Sequence, residues 1–91
     1  MNLAAFPGHE LVHDGLRDLR DGRETIPAML VLIGAERLRR AGIDVPDVRV
    51  PNPEHALYAL LAGEDPDAAH SRYNALIRQL VSFERAVECV A

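Results

Sequence analysis

The sequence predicts an all-α fold, a small four-helix bundle-like domain with one strongly apolar helix at its centre. Two observations carry this prediction. The stretch TIPAMLVLIGAERLRRAGI, residues 25–43, is apolar around most of its circumference when drawn as a helix, which is typical of a helix buried among others. Helix start and stop signals then divide the remaining chain into segments of helical length.

The central helix is predicted over residues 26–41. Thr25 is a suitable N-cap residue, and Pro27 fits the first turn, where a missing N–H costs nothing. Gly42 followed by Ile43 is the usual stop, a left-handed glycine with a hydrophobic residue after it. The central helix is therefore bounded by signals at both ends.

Two apolar stripes run along the central helix rather than one. The second stripe consists of Met29, Leu32 and Ile33. A chain this small has few residues with which to cover a second apolar side, because it buries only about 60% of its unfolded surface. We therefore predict a homodimer whose interface contains these three side chains.

Three further helices surround the central one. The first ends at Gly22, and the other two begin at Asn52-Pro53-Glu54 and Asp65-Pro66-Asp67, each a cap followed by proline and an acid. We expect the central and last helices to pack together, with the other two as covers. The predicted bounds are about 9–21, 53–62 and 66–89.

Residues 43–52 are predicted to form an extended crossover loop. Pro46 and Pro51 each push the preceding residue towards extended geometry. A short edge strand is the alternative for this segment.

Length and composition indicate one domain over residues 1–91. The net charge is 10 − 14 = −4, which disfavours binding to nucleic acid or to an acidic membrane surface. The one cysteine, Cys89, fits a reducing compartment. The apolar run at 28–33 is too short to span a bilayer, and the N-terminus lacks the pattern of a secretory signal. We expect a cytoplasmic protein.

The segment His9-Glu10-Leu11-Val12-His13 resembles the zinc-binding signature of zincin metallopeptidases. The resemblance implies that His9 and His13 bind zinc from one helix face, with Glu10 as the general base for a metal-bound water. It covers five residues, and the glycine and histidine of the longer metzincin signature are replaced by Leu16 and Leu19. A chance match on a surface helix is the competing interpretation.

Arg49 and His55 are separated by the five residues VPNPE. This spacing resembles the R-x4–6-H motif of HEPN-type ribonucleases, which are helical dimers that pair the two residues across their interface. Two prolines lie between them here, and Val50 stands where that motif has a polar residue. A capped helix start explains His55 equally well.

Most strong signals in the chain are structural. The sequence therefore predicts a non-enzymatic protein-interaction or adaptor module that acts as a homodimer, with no catalytic residue, metal or cofactor. A zinc-dependent hydrolase using His9, Glu10 and His13 is the second hypothesis. A HEPN-like ribonuclease using Arg49 and His55 is the third.

Overall fold

The structure is a computed structural model, and it describes residues 3–90. All regular elements in this range are helical, which confirms the predicted all-α, bundle-like fold. The segment 43–52 contains no strand. The elements are a 3-10 turn at Leu3–Ala5 and five α-helices: α1 (His9–Arg20), α2 (Ile26–Ile33), α3 (Ala35–Arg40), α4 (Pro53–Glu64) and α5 (Ala69–Val90).

The predicted caps form at the starts of α2 and α4. Thr25 Oγ1 accepts a hydrogen bond of 3.3 Å from the backbone N–H of Ala28, and Asn52 Oδ1 accepts one of 3.0 Å from the N–H of His55. Each bond satisfies an N–H that has no partner within its own helix. The starts of α2 and α4 predicted from the local sequence are therefore confirmed.

The end of α3 is also the one predicted. Gly42 has a φ of +95°, and the N–H of Ile43 donates 3.0 Å to the carbonyl oxygen of Leu38. This hydrogen bond is the one that defines a Schellman stop.

The single helix predicted over 26–41 is wrong, because the chain breaks at Gly34, which has φ −96° and ψ 9°. At the break, the N–H of Gly34 donates a long hydrogen bond of 3.4 Å to the Leu30 carbonyl at the end of α2. The N–H of Leu38 donates one of 2.9 Å to the Gly34 carbonyl at the start of α3. Helix α5 lies directly against it: a Cβ at position 34 would stand 2.6 Å from Glu84 Oε2 and 3.1 Å from the Leu80 methyls. Glycine is a poor helix former, and here it permits a close approach.

Two predicted bounds also shift. Helix α4 continues through Gly63 to Glu64. Helix α5 begins at Ala69 rather than at 66, because Asp65 Oδ1 accepts the N–H of Asp67 at 3.1 Å and holds the preceding residues in a turn.

Helix α2 forms the centre of the core. Its residues Ala28, Met29, Leu30 and Val31 are all completely buried. Its main neighbours are α1 and α4, and it also contacts α5, so the expected packing of the central helix against the last helix is present but is not its largest contact. Within residues 3–90, each helix lacks either the length or the apolar composition needed to cross a membrane.

Candidate functional site

The first half of the crossover loop, residues 43–52, packs against the helices and is hydrogen-bonded to α3. Val45 is buried with 4% of its surface exposed. The Arg39 guanidinium on α3 donates hydrogen bonds to the carbonyl oxygens of Val45 at 3.1 Å and Pro46 at 3.0 Å. Arg39 therefore holds the loop in place.

The second half of the loop projects as a ridge, which we define as residues 47–50. Exposure alternates along it, with Asp47 and Arg49 exposed and Val48 and Val50 half-buried. The N–H of Val48 donates 3.0 Å to the carbonyl oxygen of Pro46, which makes a γ-turn with Asp47 at its centre. The side chains of Asp47 and Arg49 are 83% and 91% exposed, and their charged atoms lie 3.9 Å apart.

A groove of about 560 Å³ runs along one side of the ridge, between the loop, α2–α3 and the start of α4. We call it the loop groove. It has an apolar floor and a charged rim, a distribution that protein-binding surfaces share. The floor is formed by the buried or half-buried Leu32, Ala35, Val48, Val50 and Pro53, and the exposed rim by Arg39, Asp47, Arg49 and Pro51.

The three residues predicted to form a dimer interface lie in different environments. Met29 is completely buried within the chain, so it cannot contact a second copy. Its predicted place in a dimer interface is wrong. Leu32 is half-buried on the floor of the loop groove. Ile33 is half-buried beside it in the chain. The stripe is therefore partly covered from inside by α4 and α1, which pack on α2.

The HELVH segment forms the first turns of α1. The His9 and His13 rings share a side of the helix, with their centroids 5.8 Å apart, while Glu10 is exposed. The His13 side chain is 65% exposed, and Nδ1 lies 3.6 Å from Asp14 Oδ1. Across residues 3–90 we find no group of three or more histidine, cysteine, aspartate or glutamate side chains placed to hold a metal ion.

Arg49 and His55 lie on different structural features. Arg49 extends from the ridge and lines the loop groove and a smaller groove, of about 360 Å³, on its other side. His55 lies in the first turn of α4 with an exposed side chain, and it lines neither groove. Among the described residues, the ion pair of Arg49 is with Asp47, and no hydrogen bond joins Arg49 to His55.

A charged cluster that the sequence did not reveal joins α3 to α5. Arg37 donates two hydrogen bonds of 2.7 Å to the Glu88 carboxylate and one of 3.4 Å to Glu84 Oε1. The Glu84 side chain is only 5% exposed. Burial raises the pKa of Glu84 against the opposing effect of Arg37, whereas the Arg37 hydrogen bonds lower the pKa of Glu88.

These opposite shifts predict opposite pH effects for two matched variants. Because the pKa of Glu84 is higher in the folded chain than in the unfolded chain, the stability that protonated Glu84 contributes is complete at pH values below its unfolded-state pKa. This stability is lost as the pH rises through its folded-state pKa. We therefore expect Glu84→Gln to be more stable than wild type at pH 7, with the difference vanishing near pH 4. We expect Glu88→Gln to be less stable at pH 7, with its deficit shrinking on acidification.

Thermal unfolding followed by circular dichroism from pH 4 to 7 measures both differences. Each variant is compared with wild type at the same pH, so the titration of groups outside the cluster of Arg37, Glu84 and Glu88 cancels. A Glu84→Gln protein that is less stable than wild type at pH 7 would contradict the role assigned to burial.

A second buried carboxylate, Asp18, fixes the turn between α1 and α2. Thr25 Oγ1 donates 2.6 Å to Asp18 Oδ2, and this hydrogen bond is the main cause of the lowered pKa of Asp18. Within the described chain the other oxygen, Oδ1, has no hydrogen bond. Arg17 and Arg23 lie 3.6 and 3.8 Å from it. The arrangement supports the cap of α2 rather than a reaction centre.

Comparison with protein-family models, curated proteins and solved structures finds no match for this chain.

Proposed function

We propose that the protein is a non-enzymatic interaction module that acts as a homodimer in the cytoplasm, with the loop groove as its binding surface. The supporting observation is the position of Leu32. It belongs to the second apolar stripe of the central helix, and it lies on the apolar floor of a groove with a charged rim. The exposed thiol of Cys89 is compatible with a reducing compartment.

Burial of apolar surface favours dimerisation through this groove. A chain of 91 residues buries a modest fraction of its surface when it folds alone, and association adds apolar burial. A two-fold axis uses the same patch on both copies. One groove per chain is therefore sufficient for a closed dimer.

The variant Leu32→Arg tests the proposal. An arginine on the groove floor removes apolar contact and places a charge where the second copy packs. Loss of a central contact costs about 2–4 kcal/mol, or roughly 30- to 1,000-fold in the dimer dissociation constant. We expect a dimer for wild type and a monomer for the variant in sedimentation velocity at micromolar concentration.

Leu60→Arg is the matched control. Leu60 is also a half-buried leucine, but it lies on α4 beside Met29, outside the loop groove. Circular dichroism establishes that both variants remain folded at the temperature of sedimentation. A wild-type protein that stays monomeric at tens of micromolar, or equal dissociation by both variants, would refute the proposed function.

A further inference from the structure

We propose that His9 and His13 bind one divalent transition-metal ion of the class that imidazole prefers (Ni²⁺, Cu²⁺ or Zn²⁺), with water completing the coordination. The pair lies in the first turns of α1, and neither histidine lines the loop groove. The inference goes beyond the proposed function and does not depend on the homodimer. It departs from the sequence-based prediction of no metal.

The two imidazole rings are close to the separation that one metal ion requires. His9 and His13 are one helical turn apart, so their side chains leave α1 on the same side. Their ring centroids lie 5.8 Å apart. Two imidazoles that share one tetrahedral ion, at a metal–nitrogen distance of about 2.0–2.1 Å, have centroids about 5 Å apart. Small rotations of the side chains therefore bring both rings to one ion without a change in the backbone.

The backbone that carries the pair is already ordered. The N–H of His9 donates 3.2 Å to the carbonyl oxygen of Phe6, and the N–H of Val12 donates 3.2 Å to that of Gly8. Val12 lies between the two histidines in the chain, and only 2% of its surface is exposed, so this turn is anchored in the core. Binding of a metal therefore does not have to order a flexible segment, which would reduce the affinity.

A neighbouring carboxylate orients the His13 ring. Asp14 Oδ1 lies 3.6 Å from His13 Nδ1. A carboxylate beside Nδ1 favours the neutral imidazole with its proton on that nitrogen, and the lone pair of Nε2 is then available to a metal ion. Metal-binding histidines commonly have a carboxylate at the nitrogen that does not bind the metal. Asp14 therefore supports His13 as a ligand through Nε2.

The charges around the pair favour a cation. Glu10 and Asp14 line, together with His9, a hollow of about 330 Å³, and carboxylates raise the local concentration of cations. Arg17 offsets part of this charge, because its guanidinium lies 3.6 Å from Asp14 Oδ1. In the part of the chain that the structure describes, no group of three or more histidine, cysteine, aspartate or glutamate side chains could hold a metal ion. The site therefore has two protein ligands.

The ligand atoms determine which ions bind. Imidazole nitrogen suits Ni²⁺, Cu²⁺ and Zn²⁺, whereas Mg²⁺ and Ca²⁺ prefer oxygen ligands. Among the ions that imidazole binds, Cu²⁺ should bind most tightly. The other two histidines, His55 and His70, have no histidine one turn away, so they serve as internal references.

A titration of the metal-free wild-type chain with Zn²⁺, followed by NMR, tests the site. We expect one Zn²⁺ per chain, with the imidazole resonances of His9 and His13 shifting together and those of His55 and His70 unchanged. Isothermal titration calorimetry measures the dissociation constant. His9→Asn or His13→Asn should raise it at least about 10-fold, because loss of even a residue that orients a ligand costs about 10- to 100-fold.

His70→Asn is the matched control. His70 is exposed on a helix, as His13 is, and its replacement should leave the Zn²⁺ dissociation constant unchanged. Cys89→Ser removes the exposed thiol as a competing ligand and should also have no effect. Circular dichroism establishes that each variant is folded. Equal loss of Zn²⁺ affinity in His70→Asn and His13→Asn, or equal binding of Ca²⁺ and Zn²⁺, would show that the histidine pair is not the site.

The measurements on Zn²⁺ and on dimerisation are independent. A monomeric wild-type chain that binds Zn²⁺ through His9 and His13 refutes only the proposed homodimer. A dimeric wild-type chain whose His9 and His13 resonances do not respond to excess Zn²⁺ refutes only the metal site.

Discussion

Replacing Gly15 by alanine is expected to destabilise the protein by about 3 kcal/mol. Gly15 lies on α1 where this helix crosses α2, and it is buried. A Cβ at this position would overlap the carbonyl oxygen of Pro27 and a methyl of Val31, and would lie 2.8 Å from the Pro27 carbonyl carbon. The obstacle is largely backbone, which cannot rotate away as a side chain can, so α1 and α2 must move apart.

Gly63→Ala is the control for this substitution. Gly63 is also helical, in α4, but a Cβ there meets no atom within 4 Å. Alanine should raise the free energy of unfolding by about 0.5–1 kcal/mol through helix propensity alone. Urea denaturation of both variants measures the contrast. A Gly15→Ala protein as stable as wild type would show that α1 and α2 are not packed this closely.

Met29→Ala is expected to lower the free energy of unfolding by about 2–5 kcal/mol. Met29 is completely buried in α2, so truncation leaves a cavity in the core. This loss belongs to folding, and it should appear in urea denaturation of the chain even where dimerisation is negligible. If Met29 instead contributed mainly to an interface, the loss would appear in the dimer dissociation constant.

Val90→Ala provides the reference for an exposed apolar truncation. Val90 is 56% exposed at the end of α5, and its truncation should change stability by no more than about 0.5 kcal/mol. Similar denaturation midpoints for Met29→Ala and Val90→Ala would contradict the burial of Met29.

The candidate site could be predicted in part. The segment 43–52 was identified as an extended crossover because its prolines restrict the backbone locally. Leu32 was identified because a second apolar stripe is visible in the sequence. The groove that joins them could not be foreseen, since it depends on how the loop folds back over α2 and α3 through Arg39.

The burial of Glu84 and Met29 could not be predicted from the sequence either. Glu84 lies among the buried residues of α5 because Gly34 allows the two helices to approach and Arg37 supplies a cation there. No local pattern pairs position 84 with positions 34 and 37. Met29 was assigned to the surface because a helical projection gives the faces of one helix but not the neighbours that cover them.

The all-α class, the caps at Thr25 and Asn52 and the stop at Gly42 follow from local sequence, because each depends on residues within a few positions of one another. The break at Gly34, the covering of Met29 and the position of the loop groove arise only when the helices pack together. These features depend on contacts between segments far apart in the chain, where packing and desolvation outweigh the preferences of any single helix.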